Sequence, residues 1–318
     1  MEYRRLGAAG PNVSVIGMGT WAIGGLTPGA TSYGPMDDDT SRDAIVASLE
    51  AGVTFFDTAN VYGDGHSEEL LGETLRPFRH TVVIATKCGM QSLAGGKDFS
   101  PRAVMQSVHS SLHRLRTDYV DLLQLHDPPI ALAADDALRR VLTDMVAAGT
   151  VRALGVSIKS PADGLAFLDG CWQSVQCNLN LMDVRAIECG LVSKAAAAGV
   201  GIIARTPLAF GFLSERFGDE PPTFHHSDHR SRWAPRQIEA WLSARRVFEP
   251  VAAASGRSLP QLALAFCKDM PGVTATIPGS TTRQESLENA FVGSLPPLEP
   301  SLMSELVETS KGQRFFLR

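Results

Sequence analysis

The feature that most constrains this chain is a steady alternation of short apolar runs with segments of helical period. Residues 13–18, 55–56, 82–87, 119–126, 151–157, 174–177, 200–204 and 273–277 read as strands. Helices read between them. One opens at Asp37-Asp38-Asp39-Thr40, repeats Ile45, Val46 and Leu49 at helical spacing, and stops at Gly52. Ser67 is the expected cap of the next, which carries Leu70, Leu71 and Leu75. Ser100-Pro101 starts a third, to about residue 116, and others are expected over 135–148 and 187–198. Parallel strands need a crossover, so this order implies a parallel sheet. Roughly eight units fit, which favours a closed (β/α)8 TIM barrel over an open doubly wound sheet. No Gly-x-Gly-x-x-Gly follows the first strand.

After residue 204 the pattern loosens. Residues 208–236 hold glycine, proline and three histidines without a period, and read as a long, mobile loop at the barrel mouth. Helices follow over 236–255 and 258–268, then after Thr282 through Asn289. An extra C-terminal helix over 301–310 and the tail 313–318 fall outside the repeat. No linker divides the chain, so residues 1–318 are expected to form one barrel domain.

Composition narrows the function. A net charge of −5 and the lack of a basic run argue against nucleic acid. The start, Met1-Glu2-Tyr3-Arg4-Arg5, lacks a signal-peptide core, and no apolar stretch reaches membrane-span length. The five cysteines, Cys88, Cys171, Cys177, Cys189 and Cys267, are scattered and form no Cys-x-x-Cys pair. They suit reduced thiols in a cytoplasmic protein.

Asp57, Lys87 and His126 each stand at the C-terminal end of a strand, and Tyr62 lies on the loop just past the first. In a barrel those ends face one mouth, where barrel enzymes do their chemistry. Singly, each has a structural reading: a turn cap, a packed ring, a snorkelling lysine, a strand cap. Together they form a reacting set. A phenol is a poor acid near neutrality, and a neighbouring ammonium favours its ionised form. Asp57 can hold the ammonium, and His126 can donate a hydrogen bond to a carbonyl oxygen beside the phenol. Such a set polarises and protonates a C=O as hydride reaches its carbon. A nicotinamide cofactor is implied, since no side chain supplies hydride.

The chain resembles the aldo-keto reductase family over nearly its whole length. The family's tetrad is matched by Asp57, Tyr62, Lys87 and His126, and its first signature by Asp57-Thr58-Ala59-x-x-Tyr62-Gly63. Further landmarks are Gly155-Val156-Ser157, Gln176, Asn180, Pro207-Leu208 and Ile277-Pro278-Gly279 through Glu288-Asn289. The resemblance implies a barrel that binds an extended nicotinamide dinucleotide and reduces an aldehyde or ketone, a sugar or keto-sugar among them. It places Gly19, Thr20, Trp21 and Asp57 near the nicotinamide. Trp21, Tyr62 and His126 would meet a small carbonyl substrate. Ser157 and Gln176 would hold the carboxamide, and Pro207, Leu208, Gly211 and Leu213 would underlie the pyrophosphate. Gly279, Ser280, Glu288 and Asn289 would hold the adenosine end.

The chain also departs from the family pattern. Ile158 stands where asparagine is usual, and Arg205 where an aromatic residue stacks on nicotinamide; a guanidinium can also stack flat on a ring. Near the 2′-phosphate site, Thr281 and Glu285 replace groups that welcome a phosphate, and Arg283 is the remaining cation. NADPH is the family's expected cofactor, and NADH stays open because a carboxylate pairs with a ribose hydroxyl and repels phosphate.

His109 and His113 lie one helical turn apart, and His225, His226 and His229 share the mouth loop; neither group has a complete ligand spacing, so no metal is expected. Cys88 reads as packing. The alternative function is a nucleotide-binding regulatory subunit of the potassium-channel β type, which shares this fold. A short-chain dehydrogenase is excluded: its Tyr and Lys sit four apart on a helix, whereas Tyr62 and Lys87 are 25 apart. The sequence names neither the substrate nor the oligomeric state.

Overall fold

The computed structural model describes residues 1–218 and 220–313. An antiparallel hairpin of β1 (Tyr3–Arg5) and β2 (Asn12–Ser14) precedes the barrel. The barrel strands are β3 (Met18–Gly19), β4 (Phe55–Asp57), β5 (Val83–Cys88), β6 (Leu122–His126), β7 (Leu154–Ser157), β8 (Trp172–Asn178), β9 (Gly201–Arg205) and β10 (Val273–Ile277). They pair in parallel in sequence order. Closure comes from the bridges Ile16–Thr276 and Gly19–Gly279. The protein is therefore a (β/α)8 barrel.

Two side-chain layers follow from the two-residue period of strands. Phe55, Ala85, Leu122, Ala153, Ile203, Ala275 and Ile277 point inward and form the barrel core, plugged by Leu6 and Val13 of the hairpin. The outward set, including Phe56, Ile84, Leu123, Leu125 and Val175, packs against the helices. The inward alternation continues upward as Asp57, Lys87, Gln124, Ser157, Gln176 and Arg205. The same faces that are apolar at the floor thus become polar at the mouth.

The helices are α1 (Asp38–Glu50), α2 (His66–Leu75), α3 (Pro101–Arg114), α4 (Asp136–Ala147), α5 (Arg185–Glu188), α6 (Leu191–Ala198), α7 (Pro235–Ala254), α8 (Leu259–Asp269), α9 (Arg283–Phe291) and α10 (Pro300–Lys311). Ser100 caps α3 through the Ala103 amide, and Ser258 with Gln261 forms a capping box on α8.

Several local expectations change. The apolar run at 13–18 is divided: its first part pairs in the hairpin, Ile16 bridges to β10, and the barrel strand beside β4 is Met18–Gly19. Ser67 is not a cap. Gly65 holds that position without a side-chain bond, and the Ser67 hydroxyl instead meets Thr20 and Thr58. The helix expected over 187–198 is broken at Gly190, whose φ of 76° is left-handed. The 208–236 segment is anchored: Phe212, Leu213, Asp228 and Arg230 are buried within it. Of the tail, residues 314–318 lie outside the described residues.

Candidate active site

Register brings the strand ends together. Lys87 pairs with Gln124 across β5 and β6, His126 with Ser157, and Ser157 with Gln176. Lys87 is fully buried, and its ammonium donates to Asp57 Oδ1 at 2.5 Å and to the Thr58 carbonyl at 2.8 Å. Burial is the largest influence and pulls the lysine's pKa down, but the charges of Asp57 and Tyr62 and hydrogen bonds to both together outweigh it, and the net shift is upward. Asp57 Oδ2 accepts from Gln124 Nε2 at 2.8 Å and Gln176 Nε2 at 2.7 Å. The carboxylate is thus held from two sides by neutral amides and from the third by a cation.

Tyr62 follows on a short 3₁₀ turn, with its ring centroid 4.8 Å from the Lys87 ammonium. The turn needs glycine at two touching positions. Gly63 has φ 61°, and a Cβ there would sit 2.0 Å from the Gly24 carbonyl oxygen. Thr20, whose amide and hydroxyl both donate to the Asp57 carbonyl at 3.0 Å, fixes the facing loop. The His126 ring stands edge-on to Tyr62 at 6.2 Å. Burial first, then the Lys87 ammonium, push its pKa well below the ordinary imidazole range, so it is neutral near pH 7. Its Nδ1 is buried without a partner among the described residues.

A cavity of about 560 Å³ opens beside these groups. It is lined by Gly19, Thr20, Trp21, Asp57, Tyr62 and Gln176 at the ends of β3, β4 and β8 and just beyond, by Arg205, Pro207, Leu208 and Gly211 at and after the end of β9, and by Gly279, Thr281, Glu285, Glu288 and Asn289 after β10. Other expected site residues stand behind this lining. Ser157 donates to Gln176 Oε1 at 3.1 Å, Leu213 is fully buried, and the Ser280 hydroxyl accepts from Asn289. Arg205 Nη2 donates to the Ile158 carbonyl at 3.0 Å, leaving its Nε buried without a partner among the described residues.

Arg283 is directed elsewhere. It pairs with Asp43 and Glu50 of α1 on the outside of the barrel. The cation beside Glu285 is Arg216, at 2.5 Å, which also donates to the Thr281 hydroxyl at 3.0 Å. Burial would raise the Glu285 pKa, but the Thr281 amide and the Arg216 charge outweigh it and hold the carboxyl low. Sequence reasoning missed Arg216, Tyr33, Arg230 and Gln124. Gln124 was within reach, two residues before His126 on one inward face. The other three lie on aperiodic loops that carry no positional signal. His225 and His226 are in ring contact at 4.0 Å, and among the described residues no group of three or more His, Cys, Asp or Glu is placed to hold a metal.

The aldo/keto reductase family model matches residues 15–311. The chain belongs to the aldo/keto reductase family. It is 30% identical over 289 residues to the aldo-keto reductase YhdN of Bacillus subtilis (strain 168), covering 88% of this chain and 85% of that one. A probable voltage-gated potassium channel subunit beta of Oryza sativa subsp. japonica is 28% identical, over 99% of this chain and 98% of that one. The glycerol dehydrogenase AKR11B4 of Gluconobacter oxydans superposes with a TM-score of 0.82 at 28% identity, covering 99% and 97% of the two chains. This aldo-keto reductase is accordingly an oxidoreductase, of a family that works with nicotinamide cofactors on small molecules. Among the described residues, no helix is long and apolar enough to cross a membrane.

Proposed function

We propose that this aldo-keto reductase reduces an aldehyde or ketone to the alcohol with NADPH or NADH, using Tyr62 as general acid. The observation that carries the reading is the fully buried Lys87, paired with Asp57 and 4.8 Å from the Tyr62 ring, behind a cavity that Asp57 and Tyr62 line. The residues present fit a dinucleotide. Arg205, Arg216 and Arg230 in its lining suit a diphosphate, and Arg205 Nε has no partner among the described residues. Trp21, Gln176, Ser157 and Arg205 would hold the nicotinamide end. Pro207, Leu208, Gly211 and Leu213 would line the middle, and Gly279, Ser280, Glu288 and Asn289 the adenosine end. When bound, the nicotinamide supplies the hydride.

The chain's own residues supply the proton and the orientation. Neutral His126 donates a hydrogen bond to the substrate oxygen and seats it beside the phenol. Tyr62 gives up its proton to that oxygen. The Lys87 ammonium stabilises the charge left on the phenolate, and Asp57, braced by Gln124 and Gln176, fixes the ammonium. Burial of the pair in a low-dielectric pocket strengthens each of these interactions.

A second reading is favoured by the full-length likeness to the rice channel subunit: a nucleotide-binding interaction module with little turnover. One screen separates the two. Oxidation of NADH and NADPH is followed spectrophotometrically over a panel of aldehydes, ketones and sugars. Turnover of any member supports the reductase. Tight nucleotide binding with no turnover anywhere supports the module.

A further inference from the structure

Three guanidinium groups line the cavity, and two of them have counter-ions. Arg216 pairs with Glu285 at 2.5 Å, and Arg230 with Asp228 at 2.6 Å. The buried Lys87 ammonium is likewise matched by Asp57. Arg205 differs. Among the described residues it has no carboxylate at ion-pair distance, and its side chain donates to the Ile158 carbonyl alone. That bond carries the guanidinium from the end of β9 across β8 to the residue that follows β7. After burial and the Lys87 ammonium, the Arg205 charge helps to depress the His126 pKa, and His126 stands edge-on to Tyr62. A positive charge without a counter-ion therefore acts on the part of the cavity where the proposed acid lies.

Such a charge sorts ligands by their own charge. Hydride transfer needs the nicotinamide ring against the carbonyl carbon whose oxygen Tyr62 and His126 hold, and that space lies within the field of Arg205. The ring has two charge states. The reduced form is neutral and electron-rich, and the oxidised form is a pyridinium cation. We propose that Arg205 makes this site selective for the reduced over the oxidised dinucleotide. A guanidinium attracts an electron-rich neutral ring and repels a cationic one. The diphosphate and adenosine are common to both forms, so Arg216 and Arg230 do not make this distinction. The oxidised dinucleotide left by each reduction is expelled, and reduced dinucleotide replaces it. The same field makes the bound ring a weaker hydride donor, so the gain lies in exchange and not in the chemical step. The inference rests on the reading of the cavity as a nicotinamide site and deepens it, but it does not depend on turnover.

Calorimetric titration of the full chain with NADH and NAD⁺, and with NADPH and NADP⁺, tests this, because the members of each pair differ only in the ring. Wild type should bind the reduced member about tenfold or more tightly. Arg205→Met removes the charge at similar length, and Arg205→Tyr replaces it with a flat neutral ring; either carries the test where the other fails to fold. In both, the ratio of the two affinities should fall toward one. Arg205→Lys keeps the charge and should keep most of the preference. A wild-type ratio near one overturns the inference alone. So does a ratio unmoved in the Met and Tyr variants, and equal losses for both forms would then assign Arg205 to the diphosphate. Wild-type protein that binds none of the four dinucleotides overturns the nicotinamide reading as well.

Discussion

Two buried ion pairs sit at opposite ends of the barrel and are finished differently. At the floor, Asp121 meets Arg79 at 2.8 Å and Arg152 at 3.1 Å, and its Oδ2 also accepts from the Ile84 amide. Each Arg79 nitrogen has a partner: Thr117 Oγ1, the Val82 carbonyl, and the Tyr119 carbonyl together with Asp121. The Tyr119 ring is sandwiched between the two guanidinium groups at 3.9 and 3.7 Å. At the mouth, the Asp57–Lys87 pair is equally buried, but near it stand groups without partners among the described residues: His126 Nδ1, Trp21 Nε1 and Arg205 Nε. Ion-pair burial alone therefore does not mark a site. At the floor, Tyr119 Oη is the buried polar atom left without a partner among the described residues, and the ion pair itself is fully bonded, while the mouth holds three such donors and acceptors beside the cavity.

The comparison breaks first at the floor. Asp121→Ala leaves Arg79 buried without its carboxylate and the Ile84 amide without an acceptor. Removing one partner of a buried pair costs about 3–5 kcal/mol. Urea unfolding should show that loss, while kcat per folded molecule stays near wild type. A loss below about 1 kcal/mol, or a collapse of kcat with stability intact, would put the floor in the mouth's class.

The mouth should respond in the opposite sense. Tyr62→Phe should lower kcat by about a hundredfold or more, with cofactor still bound and the unfolding midpoint little changed. Lys87→Met should be comparably damaging to the rate. Its stability cost should be smaller than that of Asp121→Ala, because Gln124 and Gln176 still donate to Asp57. Near-normal turnover by Tyr62→Phe would remove the phenol from the mechanism.

What could be read from the sequence divides along the same line. Strand-end residues were legible because an inward alternation fixes direction: Phe55 then Asp57, Ala85 then Lys87, Leu122 then Gln124 then His126. The parallel order then carries all of them to one end. Met18–Gly19 was illegible as a separate strand, since two residues carry no period and the hairpin uses the same apolar run. Ser67 had the right chemistry for a cap but found better partners in Thr20 and Thr58. Arg216, Tyr33 and His229 were illegible as partners because aperiodic loops bring them in, and proximity there is set by tertiary packing.

The cavity lining after β10 sharpens the comparison at lower cost. Glu285 is neutralised by Arg216, so the carboxylate that would repel a 2′-phosphate comes with a cation that could receive one. Wild type should therefore bind NADPH and NADH within about a hundredfold of each other. Arg216→Ala should weaken NADPH by about tenfold and NADH much less. Thr281→Arg with Glu285→Gln should shift preference toward NADPH, most at low salt where screening is weak. Calorimetric titration with both cofactors measures this. Equal losses for the two in Arg216→Ala would show that the arginine holds the loop and not the phosphate.

The smallest effect is a pH dependence that only the mouth should have. Burial, then the Lys87 ammonium, with Arg205 and Lys97 further off, depress the folded-state pKa of His126 well below its ordinary 6.5. As pH falls, the unfolded chain takes up the imidazole proton before the folded one does. The unfolded state is then favoured, so stability is full above the ordinary imidazole range and declines as pH drops through it. Between pH 7.5 and 6 this single group should remove somewhat less than about 1 kcal/mol. His126→Asn cannot take up that proton, so its unfolding free energy should fall less over the same interval. His229 is also depressed, to about 4, but it is present in both proteins and cancels in the difference. The floor ion pair contains no imidazole, so the pH dependence of Tyr119→Phe should parallel wild type. Urea unfolding at several pH values compares the three. Parallel curves for wild type and His126→Asn would mean that His126 takes up its proton as readily in the folded protein as in the unfolded chain, so that burial does not hold the imidazole neutral.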